Sequence, residues 1–473
     1  MISSQADKKS RIPVWINLLA IFVMSSACHP GGKPTKQIKV TVPEAWSVSG
    51  GKTPSRISSG WIKDLNDSKL NQLVNEAMKR NPDLLATSER LKAARAGLVR
   101  ARAAQIPSLD ISGSGSRSRT NQNAAGGTRS YSSNQRVSVG ASWELDLWGR
   151  LGNLQNVAKA DYDALLADFR GTRLSLAANI ASLWYDLISS ENQVLLAQDT
   201  LTSYRMVEKI IERNYKAATA RALALQLSRN NVFSAERILR ARMQRRDDAR
   251  RIIEILLGRY PSGQMIAPAT LPTIRRDIPT GLPAGLLSRR PDQIRARKRL
   301  DASFYRTLAT QKSLLPSLKL TGRSGTASSD YSNLLNPGFL ASSISTSLAQ
   351  SIFEGGSQRE DIRAAIARNK AAVHDYTRIA LQAFREVESA LASENWLKQQ
   401  EHFLRKELQQ ATLAERQAER DYVEGVAGVD IIDLLESQRR ASKARSSLID
   451  LQNQRIQNRI NLHLALGGDF NTQ

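Results

Sequence analysis

The single cysteine, Cys28, has the type and the setting that predict a chemical modification. It follows a basic segment and an apolar stretch, formed by Lys8, Lys9, Arg11 and residues 12–24. This order is typical of a bacterial secretory signal ending in a lipobox, so we expect residues 1–27 to be removed and Cys28 to be lipidated. A lone cysteine cannot form an intramolecular disulfide. The alternative is a plain signal peptide with an incidental cysteine, because Ser25 stands where Leu or Val is commoner.

The residue after the cysteine bears on the destination of the protein. By analogy with bacterial lipoproteins, an aspartate there would call for retention at the inner membrane, whereas this chain has His29. The sequence therefore predicts the outer membrane. Residues 28–64 are rich in Gly, Pro, Ser, Thr and Lys, and such a composition predicts an extended, lipidated tether.

Other residue types give no support to catalysis. The four histidines are dispersed along the chain, at His29, His374, His402 and His463. In the sequence, no Cys/His cluster has the spacing of metal ligands, and no nucleophile motif stands at a strand-to-helix turn. The sequence therefore predicts neither an enzyme nor a site for a metal or another cofactor.

The formal net charge of +24 raises the question of nucleic-acid binding. However, the Lys and Arg residues are scattered over helix faces, aromatic residues make up only 5% of the chain, and an exported protein meets no chromosome. We expect a solvated helical exterior and no nucleic-acid partner. Attraction to an acidic partner protein or to anionic polymers of the cell envelope is the alternative.

The chain repeats itself at a displacement of 209 residues. Segment 81–83 returns as 290–292 with Pro-Asp in both, and Pro107-Ser108-Leu109 returns as Pro316-Ser317-Leu318. Solenoid repeats run about 20 to 50 residues, so this period indicates duplication of a whole αββα module. We expect repeat 1 at 65–260, a linker at 261–280, repeat 2 at 281–468 and a tail at 469–473.

Each repeat is predicted to contain a β-hairpin followed by a helical hairpin. From 136 to 145, apolar and polar residues alternate, as they do in a strand with two unlike faces. Strands are expected at about 109–119 and 135–145 in repeat 1, and at about 318–327 and 343–353 in repeat 2. The helical hairpins are expected to turn near 217–221 and 425–429, where small residues interrupt long helical patterns.

Four strands per chain have a consequence for assembly. The smallest closed barrels use about eight strands. An open sheet in a bilayer would leave unsatisfied edge groups, each costing several kcal/mol. If the protein crosses a membrane with these strands, two or more chains must therefore associate. An ordinary soluble α+β sheet is the alternative.

One segment at the end of the second predicted strand resembles a family signature. Trp143-Glu144-Leu145-Asp146-Leu147-Trp148-Gly149-Arg150-Leu151 closely resembles the motif of TolC-like outer-membrane efflux lipoproteins of the NodT type. Three further segments agree with that family, at 281–292, 352–356 and 384–391. The resemblance covers the chain from about residue 43 to residue 468.

The resemblance implies a homotrimer. Three copies of the four strands would form a 12-stranded outer-membrane β-barrel, continued by a long periplasmic α-helical barrel. Family members accept small molecules or drugs from an inner-membrane RND-type pump through a periplasmic membrane-fusion adaptor, so the expected function is a passive exit duct. The expected location is the outer membrane, with a lipid anchor, contacts to outer-membrane lipid and a periplasmic helical tunnel.

The resemblance also implies a periplasmic gate. Asp430 and Asp433 match the paired acidic positions that ring the narrow end of the tunnel in TolC-like proteins, and Tyr422 matches a tyrosine of the closing network. Three chains would bring six carboxylates together, and such a ring favours cations and opposes tight closure.

The first turn is expected to differ from the second. Leu223 and Gln226 are the expected counterparts of the two aspartates, so the charge is confined to repeat 2. Arg221 on the first turn is the expected closing partner of Asp430. The alternative is a solvated turn with an N-cap aspartate and a free arginine.

Two other functions remain open from the sequence. The channel of a type I protein secretion system would share this fold, although the signature and the lipobox favour small-molecule efflux. A non-channel structural lipoprotein with coiled-coil helices is the second alternative, and it predicts no trimer and no conductance.

Overall fold

The computed structural model describes residues 42–47, 61–121, 129–272, 283–424 and 430–468. The chain divides into two compact units. Of the described residues, the first comprises those within Ala94–Tyr162 and Lys298–His374, and the second comprises those within Val40–Ala93, Asp163–Arg297 and Asp375–Gln473.

A four-stranded antiparallel sheet lies in the first unit, in the order β1-β2-β3-β4. The strands are β1 (Ser108–Asn121), β2 (Arg129–Leu145), β3 (Ser317–Ser328) and β4 (Leu340–Ala349). Leu109 pairs with Ala141, and Leu145 pairs with Leu318, which in turn pairs with Leu348. The two repeats therefore contribute adjacent hairpins to one sheet, joined through β2 and β3.

One face of this sheet is apolar. Because residues directly opposite each other in paired strands point to the same side, the register places a set of apolar side chains on one face. This set includes Leu109, Ile111, Val139, Ile344 and Leu348. Their exposed fractions are 78%, 80%, 49%, 82% and 66%. The single chain therefore leaves this apolar face uncovered.

The strand predicted at 343–353 is wrong at both ends. Strand β4 begins at Leu340 and ends at Ala349, which pairs with Ser317, the first residue of β3. The residue before β3 is Pro316, which has no N–H to donate to a ladder. Beyond β4, the side-chain Nε2 of Gln350 donates to the Leu314 carbonyl oxygen (3.1 Å), and Ile352 is 97% exposed.

The longer described helices recur in the two repeats with similar lengths. Helix α1 (Trp61–Asp64) precedes repeat 1, which contains α2 (Ser68–Arg80), α3 (Pro82–Ala103), α4 (Arg150–Lys216) and α5 (Ala222–Leu256). Repeat 2 contains α6 (Pro283–Arg289), α7 (Pro291–Lys312), α8 (Ser357–Glu424) and α9 (Ile431–Ala465). The bounds of α3 and α7, and of α5 and α9, are displaced by 209 residues at both ends. None of the described helices is long and apolar enough to cross a membrane.

The Trp143–Leu151 signature forms the junction between β2 and α4. The Asp146 carboxylate accepts from the N–H groups of Leu151 (3.0 Å) and Gly152 (2.7 Å), which are donors of the first turn of α4. Gly149 directly precedes the helix with a φ of 70°, a conformation that favours glycine. Arg150 pairs with Glu144 (Nη2 to Oε1, 2.6 Å). The motif thus determines where the strand stops and where the long helix starts.

A large apolar core lies in the second unit, where α1 and α2 pack against α4, α5 and α9. Its fully buried side chains include those of Trp61, Leu70, Trp184, Ile253 and Ile460, whose exposed fractions are 0%. The C-terminus of α5 is held by Asn81, whose Nδ2 donates to the Leu256 carbonyl oxygen (3.0 Å). This core therefore positions the C-terminal ends of α5 and α9, the helices whose starts carry the candidate site.

In repeat 2, an arginine instead of an asparagine holds the C-terminus of α9. Arg290 Nη1 donates to the Ala465 carbonyl oxygen (2.9 Å), at positions displaced by 209 from Asn81 and Leu256. Gly258 and Gly467 end the two helices with φ values of 71° and 66°. A Cβ at Gly258 would meet the Arg80 carbonyl oxygen at 2.6 Å, so a side chain does not fit there.

Candidate functional site at the helix turns

The two predicted gate aspartates lie at the start of α9. Asp430 is the N-cap residue, and its Oδ1 accepts from the N–H of Ile431 (2.6 Å). Asp433 Oδ2 accepts from the N–H of Asp430 (3.0 Å), which completes a capping box. Both residues are exposed. The structure thus brings the two carboxylates together and gives them a role in helix capping.

Tyr422, near the end of α8, packs against an apolar cluster formed by α4, α5 and α9, including Ile211, Leu225 and Leu434. Burial raises the pKa of its hydroxyl and the nearby Asp430 carboxylate raises it further, while a hydrogen bond with the Asn214 side chain acts in the opposite direction. Tyr422 is therefore neutral at physiological pH, and it connects the second helical hairpin to the end of α4.

The first turn is organised around Asn214. Its carbonyl oxygen accepts from the N–H groups of Thr219 (2.9 Å) and Ala220 (3.2 Å), and also from the Thr219 hydroxyl (2.9 Å). Ala218 has a φ of 58°, a value that an L side chain rarely adopts. The chain then enters α5 at Arg221, an exposed N-cap residue whose side chain makes no capping hydrogen bond.

The structure corrects the expected correspondence between the two turns. Leu223 and Gln226 were expected opposite Asp430 and Asp433 at an offset of 207. That offset relates the starts of α4 and α8, whereas α5 and α9 are related by 209. One additional residue lies in α8 and one between α8 and α9, so Asp430 corresponds to Arg221.

Within one chain, the described residues do not form an ion pair between Arg221 and Asp430. The closing contact predicted for them stays a prediction. The second turn itself, predicted near 425–429, lies outside the described residues, as does Cys28.

Sequence reasoning missed the residues that surround the first turn. Asn214 carries no sequence signal that separates it from other helical asparagines, since its role follows from the tertiary contact with Tyr422. Beside it, Arg229 on α5 lies near Glu208 (3.5 Å) and Glu212 (3.8 Å), which follow each other at helical spacing on α4. The spacing of the two glutamates can be read from the sequence, but their partner on α5, Arg229, cannot.

The first turn is therefore a set of paired charges, and the start of α9 is a set of carboxylates. Among the described residues, no group of three or more His, Cys, Asp or Glu side chains is arranged to hold a metal ion. The exposed Asp430 and Asp433 can attract mobile cations electrostatically, and they can accept hydrogen bonds from a neighbouring chain.

Comparison with known proteins agrees with this organisation. The family model described as "Outer membrane efflux protein" matches residues 73–259 and again residues 282–468. The chain is 30% identical over 414 residues to the outer membrane protein OprJ of Pseudomonas aeruginosa, covering 87% of this chain and 86% of OprJ. It is 28% identical over 416 residues to the cation efflux system protein CusC of Escherichia coli O6:H1, covering 87% and 89%.

Solved structures share the fold across nearly the whole length. The outer-membrane channel OprN superposes with a TM-score of 0.85 at 25% identity, covering 93% of this chain and 99% of OprN. The open state of the MtrE outer membrane channel of Neisseria gonorrhoeae superposes with a TM-score of 0.80 at 26% identity, covering 92% and 98%.

Proposed function

This chain belongs to the outer membrane efflux protein family, and we propose that it provides the outer-membrane exit duct of a tripartite efflux pump. The duct passes small molecules that an inner-membrane RND-type pump delivers through a periplasmic adaptor. Residues 65–260 and 281–468 act as its two channel repeats, joined by a linker at 261–280.

The observation that carries this proposal is the exposed apolar face of the sheet. Leu109, Ile111, Ile344 and Leu348 lie on one face with at least 66% of each side chain exposed. Burying such side chains in lipid is favourable by roughly 1.5 to 3 kcal/mol each. Soluble monomers rarely expose a contiguous apolar face of this kind, whereas the lipid-facing side of a membrane sheet does.

The free edges of the sheet support a trimer. Within one chain, β1 and β4 each pair on one side only. An unpaired edge in a bilayer leaves backbone groups without partners, at a cost of several kcal/mol each. Three copies joined from β1 to β4 form a 12-stranded barrel without edges, with six similar helical hairpins continuing into the periplasm.

Cys28 anchors this assembly in the outer membrane through attached acyl chains. The sequence context of the cysteine supports this part of the proposal. Metabolic labelling with a palmitate analogue is expected to mark the wild-type protein and to leave the Cys28→Ser variant unlabelled. Equal labelling of both proteins would exclude Cys28 as the modified residue.

Asp430 and Asp433 form the charged ring at the narrow end of the duct. Their exposed position at the start of α9 supports this role. Arg221 of one chain closes the ring by pairing with Asp430 of its neighbour, and Tyr422 holds the second hairpin against the first.

Purified protein in planar lipid bilayers tests the proposed function. We expect a trimer that is resistant to detergent until heated, together with discrete single-channel currents. A variant with Leu109 and Ile344 both changed to Asp is the matched control, because it destroys the apolar face without touching a helix. Absence of currents from an intact wild-type trimer would contradict the channel assignment.

A further inference from the structure

A groove of about 310 Å³ lies in the second unit, among α4, α5 and α9. Helix α4 contributes its floor with Leu196, Ala197 and Thr200, while α5 and α9 contribute its two walls. One wall thus comes from repeat 1 and the other from repeat 2. The groove is separate from the turns that carry the proposed gate.

The groove is lined by cations without carboxylates. Arg242 of α5 and Arg439 and Lys443 of α9 are lining residues, and none of the described lining residues is Asp or Glu. Arg439 is paired with Glu436 (Nε to Oε2, 2.8 Å). In the described part of the chain, neither Arg242 nor Lys443 takes part in an ion pair. Two of the three lining cations are therefore free of carboxylate partners among the described residues.

The Arg242 guanidinium is held in position across the groove. Its Nη2 donates to the Ser446 hydroxyl (3.2 Å), and that hydroxyl donates to Gln193 Oε1 (2.9 Å). Gln193 is buried, and its Nε2 donates to the Ser446 carbonyl oxygen (2.9 Å) and to Asp450 Oδ1 (3.0 Å). The Asp450 carboxylate on this wall is therefore engaged by Gln193, and the Arg242 guanidinium keeps its remaining N–H groups.

Hydroxyl groups add further hydrogen-bonding capacity. Thr200 and Ser442 lie within 3.1 Å of each other across the groove, and Ser234 and Ser447 also line it. Hydroxyls rotate to donate to an acceptor, and a planar guanidinium binds two oxygens of one oxyanion at once. Lysine adds a mobile point charge on the same side.

We propose that this groove binds a small organic molecule that carries a phosphate or carboxylate group. Arg242 and Lys443 bind the oxyanion, and the hydroxyl of Ser442 rotates away from Thr200 to orient it. The apolar floor formed by Leu196 and Ala197 accommodates the organic part. Because the ligand contacts both walls, binding links the two repeats within one chain.

Thermal unfolding of the purified full-length protein in detergent tests this site. Inorganic phosphate and glutarate serve as probes, each compared with sodium chloride at the same ionic strength. A ligand that binds only the folded state raises the unfolding temperature with concentration, following the logarithm of one plus concentration over Kd. A rise with either probe supports the site and identifies the bound group.

Variants separate specific binding from general salt effects. Arg242→Gln with Lys443→Gln is expected to remove the rise, while the matched pair Arg237→Gln with Lys398→Gln, both exposed and outside the groove, is expected to keep it. The single variant Lys443→Gln changes an exposed side chain, so it is expected to fold and to weaken binding by roughly tenfold.

Two results would overturn the proposal. The first is a wild-type protein that responds to both probes no more than to chloride. The second is an equal rise in the groove variants, including Lys443→Gln, and in the matched pair, because that would assign the effect to general screening of the positive charge.

Discussion

The two repeats end their helical hairpins at equivalent places by different means. In repeat 1, the neutral side chain of Asn81 both donates to the Leu256 carbonyl oxygen and accepts from the N–H of Leu84 (3.0 Å). In repeat 2, Arg290 donates to the Ala465 carbonyl oxygen and also pairs with Asp292 (2.7 Å) and Glu386 (2.8 Å). A neutral cap has thus been replaced by a buried charge network at the same position of a shared backbone.

The starts of α5 and α9 also differ between the two repeats. Helix α5 begins at Arg221, which makes no side-chain cap, whereas α9 begins at Asp430 within a capping box. Duplication therefore preserved the backbone frame and left the ends of the helices free to diverge. The differences lie where side chains meet solvent or a neighbouring element, and those are the places where function can be added without refolding the frame.

The largest expected effect comes from breaking the Arg290 network. Arg290→Ala leaves Glu386 and Asp292 without their partner and the Ala465 carbonyl oxygen unsatisfied. The free energy of unfolding should fall by about 3 kcal/mol, the lower end of the range for a broken buried ion pair, because both carboxylates are about a third exposed. Asn81→Ala should cost only about 1 to 3 kcal/mol, because no charge is left unpaired. Urea titrations followed by circular dichroism measure both. Arg289→Ala is the control for an exposed arginine, and equal losses at Asn81 and Arg290 would contradict the comparison.

Equivalent buried positions also predict different responses to acid. His463, displaced by 209 from Glu254, stacks on Trp61 with ring centroids 5.2 Å apart, and burial lowers its pKa to about 3, with a smaller contribution from Arg459. Burial tends to raise the pKa of Glu254, but hydrogen bonds from the segment around Gly263 outweigh it and lower that pKa below its ordinary value.

The signs of these shifts define separate pH windows. Since unfolded His463 binds a proton below about pH 6.5 and the folded residue does not until about pH 3, stability falls as the pH drops through this range, by up to about 1.4 kcal/mol per pH unit. Glu254 loses its contribution only below about pH 4.5. His463→Phe should therefore flatten the dependence of stability between pH 6.5 and 4.5, and Glu254→Gln should not. The reverse pattern in pH-resolved urea titrations would refute the assignment.

The smallest expected effects concern the helix starts. Asp430→Ala removes a cap and should cost about 1 kcal/mol. Arg221 already has the extended backbone of an N-cap, with φ −80° and ψ 149°, so Arg221→Asp should gain up to about 1 kcal/mol. Arg221→Ala is the control and should be nearly neutral. Hydrogen exchange of the first turns of α5 and α9 measures these changes locally, and a loss of protection in Arg221→Asp would contradict the proposed equivalence.

Much of the frame could be predicted from the sequence. The recognised family and the fold class are confirmed, because periodic patterns, the 209-residue repeat and the Trp143–Leu151 signature depend on local residue order. The end of β4 could not be predicted, because the apolar pair Ile352-Phe353 continues the strand pattern. Pro316, the residue before β3, has no N–H with which to extend the pairing. The partners of Tyr422 and Arg242 lie more than 200 residues away, so no local pattern reveals them.

The aspartate positions show the same limit at the site. The two aspartates could be recognised from the sequence, but their counterparts in repeat 1 were placed two residues too far along the chain. The offset of 207 residues, which relates the starts of α4 and α8, does not hold for α5 and α9. Only the observed starts of α5 and α9 show that two additional residues lie between the start of α8 and the start of α9.

Ion selectivity of single channels in planar bilayers tests the central claim, that the two exposed carboxylates at the start of α9 make the second turn the gate. Under a potassium chloride gradient, the wild-type protein should show cation preference in its reversal potential. Asp430→Ala with Asp433→Ala should reduce that preference and alter the conductance, while the matched pair Asp199→Asn with Asp248→Asn should change neither. Unchanged conductance and selectivity in the Asp430 and Asp433 variant would contradict the account.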